Sequence, residues 1–320
     1  MQKQQYDLII IGAGPAGLAA AIYAKRALLT TLILEKDLDG GKLNKTAEVE
    51  NYPGFTKIEG PKLAEEMAKH ARSYKIDWKN EKVVQLTKNN QKIFEVKTEK
   101  NEMHFTYFSR AVVIASGTIE NKLNVSGEEE FTNFGVSYCA ICDGFAFRDR
   151  VVAVVGGGYS ACEAALYLSE IAKKVYLIHR RKEFRVDQEI KRQVEKNPRI
   201  KLILERTVKE IVGETTNQKK VTHLILNDLQ GLEREKLEIS ALFPCIGLLP
   251  YTDFLHDSNG ICDGRNYVNV NEKCETKISG LFAIGDVIKP ERIRQIVTAT
   301  ADGAIAAQAV IECLRKTEKK

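Results

Sequence analysis

The sequence has no second closely spaced cysteine pair besides Cys139 and Cys142, and no paired histidines. A structural zinc site needs about four such ligands, so the cysteines are not read as a metal centre. Dense basic runs are confined to His179-Arg180-Arg181-Lys182 and the tail from Lys316 to Lys320, and aromatics do not interleave with either. With a net charge of only +5 spread along the chain, nucleic acid is not an expected partner. Nor is a membrane. Leu8 to Ala24 is uncharged, but it is too short to span a bilayer comfortably and is broken by Gly12, Gly14, Pro15 and Gly17. No export signal is evident, and the seven cysteines are odd in number and mostly scattered. Both features suit a reducing cytoplasm, where a Cys-x-x-Cys spacing is more often catalytic than a structural staple. Low-complexity segments and short repeats are absent as well.

The 320 residues, 44% hydrophobic and 28% charged, suit a soluble protein of two domains. Tyr6 to Ile11 is a continuous apolar run, as expected of a strand buried on both faces of a parallel sheet. Gly12-Ala13-Gly14-Pro15-Ala16-Gly17 follows, then an Ala-rich helix to about Ala27 and a strand from Thr31 to Leu34 that ends in Glu35. This is G-x-G-x-x-G inside a βαβ unit. Its glycines let backbone approach a pyrophosphate at a helix N-terminus, and Glu35 suits ribose hydroxyls while repelling a 2′-phosphate. The unit therefore favours FAD or NAD. A helix from Pro61 to about Tyr74 comes next, then strands at Val83–Thr87, Phe94–Thr98 and His104–Phe108 as an antiparallel insertion. Ala111 to Ala115 returns as a separate buried strand.

The pattern restarts after Cys139-Ala140-Ile141-Cys142-Asp143-Gly144. Val151 to Val155 is a buried strand, Gly156-Gly157-Gly158-Tyr159-Ser160-Ala161 reads G-x-G-x-x-A, and a helix runs to about Ala172. The strand Val175–Ile178 ends in His179-Arg180-Arg181, with Arg185 four residues after Arg181. Arginines where the first unit has an acid suit the extra phosphate of NADP(H). Strands at Ile200–Leu204, Val208–Val212, Val221–Leu226 and Leu242–Pro244 complete a smaller domain. A last buried strand, Leu281–Ile284, leads into Gly285-Asp286 and a long helix from about Ile293. Two dinucleotide sites of opposite charge preference with a dithiol between them describe an electron relay, in which Asp143 is the nearest proton donor.

Gly12 to Gly17, Glu50-Asn51-Tyr52-Pro53-Gly54, Cys139 to Phe145, Gly156 to Ala161, His179-Arg180-Arg181 and Gly285-Asp286 occur in the order seen in bacterial low-molecular-weight thioredoxin reductases, which the chain resembles over nearly its whole length. The resemblance implies an α/β protein of two three-layer Rossmann-like domains. The FAD domain would be discontinuous, 1–117 and 248–320, with the NADPH domain, 118–247, inserted. It implies a cytoplasmic homodimer that passes electrons from NADPH through FAD to a Cys139–Cys142 disulfide and on to thioredoxin or a thioredoxin-like protein. Cys142 would face the flavin, Cys139 would attack the partner's disulfide, and Asp143 would be the acid–base group. FAD would be held by Gly12, Gly14, Pro15, Ala16, Gly17, Glu35, Gly41, Lys42, Asn51, Val84, Gly117, Asp286, Arg294, Gln295 and Ile296. Gly156, Gly158, Ser160, Ala161 and His179 would hold NADPH, with Arg180, Arg181 and Arg185 on its 2′-phosphate. Gly117 and Ile246-Gly247-Leu248 would be hinges for rotation of the NADPH domain. Lys42 departs from the family pattern, where Gln is usual. It is expected either to raise the flavin's potential or to point into solvent.

Overall fold

The computed structural model describes residues 5–46, 48–216, 219–231, 234–255, 260–288 and 294–318, without the side chains of residues 48, 142, 317 and 318. The chain divides into two compact units, Met1–Ile119 with Leu249–Lys320, and Glu120–Leu248. The crossings lie next to Gly117 and Gly247. The two connecting segments, Thr118–Glu120 and Leu248–Pro250, pair with each other as a short ladder.

The first unit begins with β1 (Gln5–Ile11), α1 (Pro15–Arg26), β2 (Thr31–Glu35), α2 (Gly60–Ser73) and β3 (Asp77–Asn80). It continues with β4 (Lys82–Lys88), β5 (Phe94–Lys100) and β6 (Met103–Ile114). The sheet order is β3-β2-β1-β6-β5-β4. β3, β2, β1 and the second half of β6 are parallel, whereas β6, β5 and β4 form an antiparallel meander. The two segments expected at His104–Phe108 and Ala111–Ala115 are thus one strand. Ser109-Arg110 interrupts its apolar pattern without breaking the backbone, because both polar groups are satisfied. The Ser109 hydroxyl donates to the Ala111 carbonyl at 2.5 Å, and Arg110 pairs with Asp7 at 3.2 Å.

β1 reads as a continuous apolar run because its alternate residues enter different layers. Leu8 and Ile10 face the helical side, with α1 and α2, while Ile9 and Ile11 pack against Val83, Phe94 and Val96 of the meander. The unit is three-layered: helices, parallel sheet, antiparallel sheet.

The second unit repeats this plan with β7 (Val151–Val155), α3 (Tyr159–Ile171), β8 (Lys174–His179), α4 (Gln188–Lys196) and β9 (Ile200–Leu204). They are followed by β10 (Arg206–Glu214), β11 (Lys220–Asp228), β12 (Arg234–Glu238) and β13 (Ala241–Pro244). The parallel sheet has the order β9-β8-β7-β13, and β10-β11-β12 is antiparallel. Val152 and Val154 pack with the helices, Ala153 and Val155 with the antiparallel layer.

The chain then returns to the first unit. β14 (Leu281–Ala283) adds to β6 in parallel, and α5 (Ile296–Glu318) packs beside α1. The expected start of this helix at Ile293 lies outside the described residues. Residues Ile296–Lys316 are long and apolar enough to cross a membrane. Ala306, Ala309, Val310 and Leu314, however, are buried in the core with α1. Gly303 has no room for a side chain, since a Cβ there would lie 2.4 Å from the Ala16 carbonyl oxygen. It is a core helix of this unit.

Candidate active site

In the first unit the loop between β1 and α1 approaches the rest of the unit closely on one side only. Gly12 has φ +110°, and a Cβ there would lie 2.4 Å from the Ala115 carbonyl oxygen. At Gly17 it would lie 2.0 Å from the Gly12 oxygen, whereas at Gly14 it would meet nothing within 4 Å. The outer glycines are required by packing and the middle one by whatever occupies the open side. Gly14 caps α1 without a side-chain hydrogen bond and Pro15 follows, so the first-turn N–H groups remain available to an anion. Glu35 reaches back from the end of β2. Its carboxylate accepts from the Ala13 N–H at 2.7 Å and the Asp37 N–H at 2.9 Å.

Of the other expected flavin-side residues, Gly41 lies against this loop. The Gly40 N–H donates to the Ala13 carbonyl at 2.8 Å, placing Gly41 beside Gly14. Lys42 bonds the Thr118 hydroxyl and pairs with Asp286 at 2.9 Å. It is therefore neither an isolated cation nor a solvent-pointing side chain. Asn51 donates to Gln295 at 3.0 Å. The Nε and Nη2 atoms of Arg294 are buried and have no hydrogen-bond partner, so this guanidinium has donors left for an acidic ligand. Ile296 opens α5, and Val84 sits at the register shift between Val83 and Gln85. Gly117 has φ +66° and open space where a Cβ would be. An open glycine, an uncapped helix start, a ribose-side carboxylate and an unsatisfied guanidinium fit a flavin dinucleotide.

In the second unit the loop before α3 has the same asymmetry. A Cβ on Gly156 would lie 2.2 Å from the Cys245 oxygen, but on Gly158 it would meet nothing within 4 Å. Ser160 is exposed and Ala161 is buried beneath the loop. The Arg185 N–H donates to the Gly157 carbonyl at 2.7 Å, binding the arginine-bearing segment to the glycine loop. Arg180, Arg181 and Arg185 are exposed, and none is ion-paired among the described residues. They are free to take a phosphate. His179, expected on the NADPH side, lies under the loop. Its ring is buried, stacks on Phe184 at 5.5 Å and fills the space below Gly157, where a Cβ would lie 2.2 Å from it. Burial, and then the charges of Arg185, Arg181 and Arg180, lower its pKa, so it supports the loop as a neutral ring.

Cys139 is disulfide-bonded, whereas Cys162, Cys245, Cys262, Cys274 and Cys313 are free. Ala140–Asp143 is a single helical turn in which the Asp143 N–H donates to the Cys139 carbonyl at 3.2 Å. The Cys142 side chain lies outside the described residues. Asp143 is exposed in this unit, so burial does not fix its carboxylate. A specific partner holds it instead: the Ser137 hydroxyl donates to Asp143 Oδ2 at 2.5 Å. No cluster of metal-ligating side chains exists among the described residues.

A family model described as pyridine nucleotide-disulphide oxidoreductase matches residues 6–303. The chain belongs to this family. It is 40% identical to the thioredoxin reductase of Bacillus subtilis over 321 residues, covering 99% of this chain and 98% of that protein. The thioredoxin reductase of Listeria innocua is 41% identical over 96% of this chain and 93% of its own length. Among solved structures, thioredoxin reductase of Lactococcus lactis superposes with a TM-score of 0.88 at 36% identity, covering 97% of this chain and 99% of that one.

Four residues of this oxidoreductase escaped the sequence reading. Thr118 was hidden because it meets Lys42 only through the fold. Asp302 lies within α5, where its buried carboxylate accepts from the Gly285 N–H at 3.2 Å and so holds the turn bearing Asp286. Glu128 heads a run of three glutamates that reads as solvated, yet it is 3% exposed. It accepts from the N–H groups of Leu123 and Asn124 and from the Tyr138 hydroxyl at 2.8, 2.7 and 2.7 Å. Ser137 had one available signal, its place two residues before a cysteine whose N–H it can cap.

Proposed function

We propose that this protein is a thioredoxin-disulfide reductase that uses FAD and NADPH. The observation that carries the reading is Cys139. Among the cysteines whose state is described, it alone is oxidised, and it lies in the same compact unit as the arginine-bordered glycine loop. The family match and the names of its near-full-length relatives support the same reading.

In this reading Met1–Ile119 with Leu249–Lys320 is the FAD unit and Glu120–Leu248 the NADPH unit. FAD, when bound, supplies a two-electron carrier between a nicotinamide hydride and sulfur. The open side of Gly14 and the N-terminus of α1 take its pyrophosphate, Glu35 its ribose, and Arg294 and Asp286 orient the remainder. Gly158 and the N-terminus of α3 take the pyrophosphate of NADPH, and Arg180, Arg181 and Arg185 select its 2′-phosphate by charge-assisted hydrogen bonds.

The outward half-reaction begins from the reduced dithiol. Asp143 takes the proton of the Cys139 thiol as that sulfur attacks one sulfur of thioredoxin's disulfide. The other thioredoxin sulfur leaves with the bond's electrons and takes up a proton. Cys142 then gives up its thiol proton and attacks Cys139, closing the intramolecular disulfide; the second thioredoxin sulfur leaves with the electrons of the mixed disulfide and takes up that proton. Two electrons and two protons have passed to the partner.

Rotation of the NADPH unit would present the dithiol to the flavin and the partner in turn. Gly117 and Gly247, with φ of +66° and +114° and nothing near their Cβ positions, support hinges at both crossings. A homodimer is supported by apolar surface on α5, where Val297 and Ile305 are 42% and 41% exposed eight residues apart. Five free thiols favour the reducing cytoplasm. The reading is tested by NADPH-dependent reduction of thioredoxin with the wild type and with Cys139→Ser. Loss of turnover is expected, and full activity in the variant would remove Cys139 from the mechanism.

A further inference from the structure

Ser137 is anchored before its side chain does anything. Residues 135–137 run beside β13 as an extra strand-like segment. The Leu242 N–H donates to the Gly135 carbonyl at 2.8 Å, the Ser137 N–H donates to the Leu242 carbonyl at 3.0 Å, and Val136 bridges Leu242 in parallel. Val136 is fully buried and Ser137 is 6% exposed. The backbone that presents the Ser137 hydroxyl is therefore part of the rigid sheet of the second unit.

That hydroxyl contacts the Cys-x-x-Cys turn at both ends. It accepts from the Cys139 N–H at 3.1 Å and donates to Asp143 Oδ2 at 2.5 Å, a closer acceptor for its single proton than the Cys139 carbonyl at 3.3 Å. The residue between Ser137 and Cys139 is fixed independently, because the Tyr138 hydroxyl donates to the buried carboxylate of Glu128 at 2.7 Å. Asp143 has no burial to hold it, and its own carbon chain leaves χ1 and χ2 free. The bond from Ser137 is the contact that selects a single carboxylate orientation over the turn.

We infer that Ser137 is a positioning residue for thiol–disulfide exchange: its hydroxyl ties the Asp143 carboxylate to the sheet and aims it at the turn that carries the cysteines. The inference rests on the reading of Asp143 as the group that takes the Cys139 proton. Without the tether Asp143 rotates among solvent-facing rotamers, and the proton transfer loses effective concentration rather than chemistry.

The test compares Ser137→Thr with Ser137→Val, two side chains of nearly equal shape that suit an extended segment and differ in the hydroxyl alone. In NADPH-dependent thioredoxin reduction, Thr is expected to retain kcat within about threefold. Val is expected to lower it about tenfold with the KM for thioredoxin unchanged. Combining Ser137→Val with Asp143→Asn completes the cycle. If Ser137 acts through Asp143, Val adds no further loss in the Asn background; a purely structural role would multiply the two losses. Equal rates for Thr and Val, or multiplicative losses, would overturn the assignment of Ser137 while leaving Asp143 in place. Full activity of Asp143→Asn by itself would overturn the underlying reading, and Ser137 with it.

Discussion

The Lys42 ammonium is shared between Asp286 and Thr118, so most of its charge is matched by protein. If Lys42 and Asp286 border the bound flavin as proposed, replacing Lys42 with Gln would leave the Asp286 carboxylate uncompensated there and disfavour negative charge on the reduced cofactor. Both side chains are partly exposed, at 36% and 23%, and solvent screens the effect. Lys42→Gln is expected to lower the flavin midpoint potential by about 30 mV, or ~1.4 kcal/mol for a two-electron couple. An unchanged potential in a dye-equilibration titration would contradict this. His179 gives a pH prediction of the opposite character. Its pKa is lowered in the folded protein, chiefly by burial. Below the ordinary histidine value of about 6.5 the unfolded chain binds a proton that the folded chain refuses. Stability contributed by the neutral ring is therefore complete above that pH and is lost as pH falls toward the depressed folded value. His179→Phe keeps the stack on Phe184 and removes the titration. Its melting temperature should fall less than the wild type's between pH 7.5 and 5.5, and parallel curves would show that His179 is not the group responsible.

The two glycine loops are elements whose residues divide the work, and the division can be measured. Gly14→Ala adds a Cβ into open space, while Gly17→Ala drives one into the Gly12 carbonyl oxygen. The first should leave the melting temperature of the flavin-stripped protein unchanged and weaken flavin binding in a fluorescence titration. The second should destabilise the fold itself by about 1–3 kcal/mol. These loops were legible because strand, glycines, helix and terminal charge repeat a local pattern whose chemistry needs no distant partner. β3 was not. Asp77-Trp78-Lys79-Asn80 has no apolar alternation because it is an edge strand, held by pairing with β2 and by Trp78 beneath Arg72 at 4.0 Å. The exposed helix α4 was missed for a similar reason: Val194 is its only buried residue. Its Asp187 cap, accepting from the Ile190 N–H at 2.9 Å, was the available sign. Ser137 and Glu128 show the same limit within the candidate site. Most of their partners are near in sequence, but the backbone that presents the Ser137 hydroxyl is anchored by pairing with distant Leu242, and only the folded loop turns the N–H groups of Leu123 and Asn124 onto Glu128.

At the scale of the molecule, one chain builds helix, parallel-sheet and antiparallel-sheet layers twice, the second set inserted in sequence between the two segments of the first. The crossings are marked by Gly117 and Gly247, whose positive φ values an alanine would occupy only under strain. If the units rotate about these points, Gly247→Ala should lower kcat roughly tenfold while flavin and NADPH affinities stay near wild type, because Gly247 is assigned to neither ligand. Loss of ligand affinity would instead indicate local damage to a binding loop. The central claim is that electrons enter from NADPH and leave through the Cys139 disulfide. It is tested most directly by following the flavin absorbance band under anaerobic conditions, first on adding NADPH and then on adding oxidised thioredoxin. The band should bleach with NADPH and recover with thioredoxin in the wild type, but fail to recover in Cys139→Ser. A band that NADPH does not bleach, or that recovers equally in the variant, would contradict it.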